Sequence, residues 1–273
     1  PNFIIQFGSQ FGILILLNYA SKFPATISYL TYAERLAQLP YGFIATGLST
    51  VALPEFTSLL IDRDRQMLHH SIDRAFFLSI ALVIPAALAL IILAEPIISV
   101  LFERGAFGGV DRVGTAAALV GFALGLPFAA IARIQTQLYF AHQQTRVPLL
   151  SVCFSILLII VVLQLPSFSE SAFGLALAFS LGQMNLCFVQ QIGLFSLNGW
   201  KFDRALRIKL YKIVAASAVM ALALMTINHH FGSTLLTEPS ALIRSGVLSV
   251  ICAVGLGLYV SMLYFLGLWR QFR

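Results

Sequence analysis

The stretch Tyr32-Ala33-Glu34-Arg35-Leu36-Ala37-Gln38-Leu39-Pro40 puts a carboxylate, a guanidinium and an amide inside a long apolar run. Ionisable groups at membrane depth are costly unless they face a cavity or a partner. Arg35 can be read in two ways. It can reach the membrane interface along its own aliphatic stem. Alternatively, it lines a polar cavity and meets an anionic substrate, because guanidinium is always charged and grips phosphate through paired hydrogen bonds. Glu34 and Gln38 would share that cavity. Pro40 removes one helix hydrogen bond and makes a hinge beside the charges. Interrupted helices next to charged sites recur in transporters.

Arg133, in Ala132-Arg133-Ile134-Gln135-Thr136-Gln137, is a second candidate, either in a cavity or reaching the interface. Asn18, Gln10 and Gln6 in the first apolar segment either face a polar interior or bond a neighbouring helix, as do Gln183 and Asn185 further along. Glu55 after Pro54 reads as interfacial. The pairs His69-His70 and His229-His230 have no third ligand at metal spacing, so no metal is expected. Cys153, Cys187 and Cys252 read as small buried hydrophobes rather than redox pairs. No phosphate-binding, zinc-protease, serine-nucleophile or dinucleotide motif is present, so neither catalysis nor a cofactor is expected.

The elements that must position these groups are membrane helices. Of 273 residues, 59% are apolar and only 10% charged; a soluble domain carries about 25% charged residues. Eight apolar segments can be marked, starting near Phe3, Thr26, Ala75, Val113, Val147, Ala172, Ile208 and Leu242. A shorter stretch, Pro96 to Phe102, is expected to lie at the interface or re-enter. Helix is the default because lipid offers the backbone no hydrogen-bond partner. The expected fold is therefore all-α, an eight-helix polytopic membrane bundle. The net charge of +6 reads as the cytoplasmic excess of Lys and Arg, not as a nucleic-acid surface. Eleven of the seventeen basic residues fall in loops on one side and four on the other, with Arg35 and Arg133 inside segments. The richer side should be cytoplasmic, which places the C-terminus there. Gly121 with Gly125, and Ala253 with Gly257, are spaced for close helix approach.

At Tyr32–Pro54 the sequence resembles the MurJ/MviN family, a branch of the MOP exporter superfamily. Tyr-Ala-Glu-Arg-Leu followed by Pro40-Tyr41-Gly42, then Gly47 to Pro54, is similar to the family's YADRL and GTxxLP patterns. Val100-Leu101-Phe102-Glu103-Arg104-Gly105-Ala106-Phe107 resembles its VLFxRGxF. Phe140-Ala141 with Thr145-Arg146-Val147-Pro148 resembles its YALxDTRTP loop. The resemblance implies lipid II flipping in peptidoglycan biosynthesis, across a bacterial inner membrane, by alternating access around a cationic central cavity. It also implies that residues 1–273 are the C-terminal lobe, helices seven to fourteen of fourteen, with an N-terminal lobe as partner. The family's cavity arginine maps onto Arg35. Glu34 stands for the family's Asp, and Gln38 replaces an acidic residue of many relatives. The sodium site of some relatives is not carried over, since the first segment here has no carboxylate. Two other readings stay open. One is an exporter of another polyprenyl-linked saccharide or of a drug; a drug exporter should show acidic cavity groups. The other is a non-transporting membrane scaffold.

Overall fold

The computed structural model describes the backbone of residues 2–198, 204–237 and 241–268, and side chains at 10–43, 47–195, 206–230 and 242–268. Gln6, Lys201, Arg204, Arg270 and Arg273 lie outside the described side chains.

Among the described residues eleven α-helices follow one another and no strand occurs: α1 Asn2–Ala20, α2 Thr26–Pro40, α3 Gly47–Ile61, α4 Arg65–Ile92, α5 Ala94–Phe102, α6 Gly109–Ala141, α7 Arg146–Leu163, α8 Pro166–Ser169, α9 Ala172–Asn198, α10 Arg204–Thr237 and α11 Ala241–Phe265. Seven helical runs among them are long and apolar enough to cross a membrane, and α1 adds a further apolar helix. The protein is a polytopic membrane helix bundle. Its exterior is correspondingly apolar, with Phe43, Leu222 and Phe265 all exposed.

The long second segment is one helical run, Thr26–Ile61, of 36 residues. It does not break at Pro40. The six residues Tyr41–Thr46 wind as a π-helix between α2 and α3. Pro40 has no N–H to give to the preceding turn, so the hydrogen-bond ladder must shift register there, and the wider π turn absorbs the shift. The short stretch before the Glu103 loop is the nine-residue α5, too short to span.

Two apolar cores organise the bundle. One joins α3, α4, α10 and α11 to the C-terminal half of α6 through Phe56, Phe76, Phe77, Ile134 and Tyr259. The other joins α1, α2, α5, α7 and α9 to the N-terminal half of α6 through Leu16, Leu30, Ile98, Leu119 and Leu175. Helix α6 is the spine shared by both. Its seam with α9 is very close: a Cβ on Gly121 would lie 2.6 Å from the Ala176 Cβ, and one on Gly125 would lie 2.5 Å from the Ser180 Oγ. The Gly121/Gly125 reading therefore holds. The Ala253/Gly257 reading does not, because Gly257 faces open space and it is Gly255 that meets Leu224. The cysteine reading holds only for Cys187. Cys153 and Cys252 lie exposed on the apolar exterior, an environment a thiol tolerates as well as a core.

Toward one end, α6 is tied to its neighbours by polar bonds. Arg112 donates to both Glu103 oxygens at 3.0 and 3.2 Å. Arg244 on α11 donates to the Ser99 hydroxyl at 3.0 Å and lies 3.8 Å from Glu103. Ser99 donates to Glu103, and Tyr29 on α2 donates to Asp111 at 2.9 Å. Burial alone would raise the Glu103 pKa, but the Ser99 hydrogen bond and the two arginines outweigh it and hold the carboxyl below its ordinary value.

Candidate functional site

A cavity of about 340 Å³ opens between α1, α2, α6 and α9. Its polar lining is Gln10, Glu34, Gln38, Tyr41, Ser180 and Gln183. Four local features build it. Along α2, Ala33, Leu36 and Ala37 are buried, which turns Glu34 and Gln38, one helical turn apart, to the cavity side. The Gln38 amide donates to the Glu34 carboxylate at 2.6 Å. Tyr41, the first residue of the π turn, closes one end. The small residues Gly125 and Ala129 keep the α6 wall low, and Phe122 with Phe179, 5.7 Å apart edge to face, forms an apolar wall.

A smaller cavity of about 70 Å³ adjoins it, sharing Tyr41, Ala129 and Gln183. Arg133 lines this second space with Thr136 and Gln190. The Arg133 Nε is enclosed and has no hydrogen-bond partner. Beyond it lies a buried amide network. Gln135 donates to Gln191 at 2.7 Å, Gln190 donates to Thr136 and Ser151, and Tyr139 donates to the Gln190 carbonyl at 2.7 Å. Gln135 and Gln137 at this end of α6 are buried within the bundle.

The expected site residues thus separate. Glu34 and Gln38 share a cavity with Gln10 and Gln183, and Arg133 sits next door. Arg35 is exposed, is not part of either lining, and forms no hydrogen bond or ion pair among the described residues. One residue along a helix is a rotation of about 100°, so Arg35 points away from the cavity that Glu34 faces. Asn18 is exposed and lines neither cavity; its carbonyl accepts from Ser21 at 2.7 Å. Glu55 accepts from Ser71 at 2.6 Å and so ties α3 to α4. Pro40 lies at the junction of α2 and the π turn, where a hinge was expected. Sequence reasoning missed Tyr41, Ser180 and Gln190. Tyr41 could have been noticed as the residue directly after a mid-helix proline. A lone serine or glutamine in an apolar run carries no comparable signal. Among the described residues no cluster of His, Cys, Asp or Glu could hold a metal.

Comparison with known proteins agrees with this architecture. The family model described as lipid II flippase MurJ matches residues 3–244. A protein of Rickettsia prowazekii named "Probable lipid II flippase MurJ" is 30% identical over 260 residues, covering 94% of this chain and 50% of its own length. The "Lipid II flippase MurJ" of Thermosipho africanus is 30% identical over 186 residues, covering 68% of this chain and 37% of its own. A solved structure, "Lipid II flippase MurJ, inward closed conformation", superposes with a TM-score of 0.78 at 26% identity, over 96% of this chain and 52% of that one. The chain spans about half the length of the curated relatives it matches. With the motifs, the membrane bundle and the matched span together, this chain belongs to the lipid II flippase MurJ family.

Proposed function

We propose that this chain is the C-terminal lobe of a lipid II flippase and works with an N-terminal lobe. The substrate is an undecaprenyl-pyrophosphate-linked disaccharide-pentapeptide, moved from the cytoplasmic to the periplasmic leaflet of a bacterial inner membrane. No bond is made or broken. The observation that carries the reading is Arg35: a guanidinium on a membrane-length helix, exposed, with no hydrogen bond or close ion pair among the described residues and only the neighbouring Glu34 charge acting on it. Such a charge is expensive in a bilayer unless an anion or water faces it. A pyrophosphate approaching from the side of the second lobe supplies that anion and can accept paired hydrogen bonds. Pro40 and the π turn directly follow, so the hydrogen-bond ladder of the helix bearing Arg35 shifts register there, and we take that point as the hinge for alternating access. Arg133 offers a second cation near the end of the bundle richer in Lys and Arg, which we assign to the cytoplasm along with the C-terminus.

One observation favours a second reading. The cavity within this lobe is lined by a carboxylate, Glu34, as an exporter of cations would require. The two readings part in one experiment. A bacterium depleted of its own flippase is given the protein with both lobes, carrying Arg35, Arg35→Ala or Glu34→Gln. Growth and exposure of lipid II to a periplasmic probe are scored. Rescue by the Arg35 form and failure of Arg35→Ala at equal membrane levels support the flippase. Rescue by Arg35→Ala removes Arg35 from the site. Failure of the unaltered protein, with drug efflux that depends on Glu34, supports the second reading.

A further inference from the structure

The placement of Arg35 outside the cavity divides the substrate between two kinds of surface. This inference rests on the flippase reading. The lining of the cavity between α1, α2, α6 and α9 contains the Glu34 carboxylate and no cation; Arg35 and Arg133 lie outside it, each within electrostatic reach of one lining residue, Glu34 and Tyr41. The lining itself therefore suits neutral groups better than a pyrophosphate. What the cavity offers is neutral hydrogen bonding. Gln10, Gln38 and Gln183 each present an amide donor and acceptor, and Tyr41 presents a hydroxyl. Glu34, already held by Gln38, keeps free acceptor sites. Vicinal hydroxyls and an acetamido group carry the complementary alternation of donors and acceptors. The Phe122–Phe179 wall suits the apolar C–H face of a sugar ring. The volume of about 340 Å³ is at the small end of ligand pockets, which run from about 300 to 1,000 Å³. It matches a sugar-sized unit, not the whole headgroup.

We propose that this cavity is a saccharide subsite: it takes an N-acetylhexosamine of the headgroup through Glu34, Gln38, Gln183 and Gln10, while Arg35 holds the pyrophosphate outside. The rival occupant, a stem-peptide ammonium, would use Glu34 alone and leave the three amides without a purpose.

The test uses the full chain in nanodiscs and three probes: di-N-acetylchitobiose, which is neutral; undecaprenyl pyrophosphate, which has no sugar; and a lysine-containing stem pentapeptide. Binding is read by calorimetry, and helix content by circular dichroism. Chitobiose should bind. Gln38→Leu and Gln183→Leu should each weaken it by roughly tenfold, the loss expected for one buried hydrogen-bonding partner. Glu34→Gln, which keeps an acceptor, should cost at most about threefold, and Glu34→Leu about tenfold. Undecaprenyl pyrophosphate should bind and lose affinity with Arg35→Ala. If it does so while chitobiose does not bind, the subsite is refuted and the flippase reading survives. If neither binds, both fail. Pentapeptide binding that disappears in Glu34→Gln, without chitobiose binding, would make the cavity an ammonium site and overturn the proposal.

Discussion

Arg112 and Arg244 sit in the first turns of α6 and α11 and converge on one carboxylate, Glu103, with Ser99 completing the cluster. Arg35 and Arg133 lie deeper in their helices and have no carboxylate within ion-pair distance among the described residues. Residue type is the same; partnership differs. A paired guanidinium spends its charge inside the fold, joining α5, α6 and α11. An unpaired one is a cost to the fold that only a ligand or water can offset. On the proposal above, partnership rather than residue type separates the arginines that hold the bundle together from those left to meet a substrate.

The strongest way to break that contrast is to remove one arginine of each kind. Arg35→Ala should reduce lipid II translocation by about ten- to a hundredfold, the effect of losing a charge-assisted hydrogen-bonding group. Its thermal stability should stay the same or rise, because the exposed guanidinium contributes no hydrogen bond or ion pair to the fold. Arg112→Ala should do the opposite: transport falls only as far as folded protein is lost. A large loss of stability in Arg35→Ala would erase the distinction.

Next in size is the shared carboxylate. Glu103→Ala leaves two half-buried guanidinium groups facing each other and should destabilise the protein by about 2–3 kcal/mol. Glu103 also predicts a pH dependence. Its folded pKa lies below the unfolded one, so its contribution is complete above the unfolded value of about 4.3. It is lost as pH falls through the folded value. Thermal unfolding in detergent should therefore show a steeper acid loss in the unaltered protein than in Glu103→Gln.

The α6–α9 seam should show a comparable effect for a purely steric reason. Gly121→Val places carbon where the Ala176 Cβ and the Phe173 carbonyl already stand, and should cost about 1–3 kcal/mol. Gly257→Ala, with nothing within 4 Å, should stay within about 0.5 kcal/mol. A modest effect on stability is expected of Pro40→Ala. It restores one donor and lets the run stiffen, so stability should rise by up to about 1 kcal/mol while turnover slows. Faster transport with Pro40→Ala would remove the hinge role.

Composition and apolar run lengths alone determined that the chain is a helical membrane bundle, because a bilayer admits only helices or a closed barrel and the unbroken apolar runs lack a barrel's alternation. Motif spacing around Tyr32–Pro54 was enough to point to the family, and Gly121 with Gly125 to a close helix seam. These are local properties, set by residues near one another in the chain. What faced what was decided only in three dimensions. Glu34 and Arg35 are adjacent in sequence, yet one lines a cavity and the other points outward, because a helix turns neighbours about 100° apart and packing chooses which direction is inside. Arg133 shares its small cavity with Gln190 of α9, a neighbour that no local pattern around Arg133 announces. Cys153 and Cys252 face outward because in a membrane protein the exterior is as apolar as the core, so hydrophobicity does not tell one from the other. The pairing of Glu103 with Arg244 spans about half of the chain, and nothing at either position announces the other. Partnership at that separation is a property of the fold.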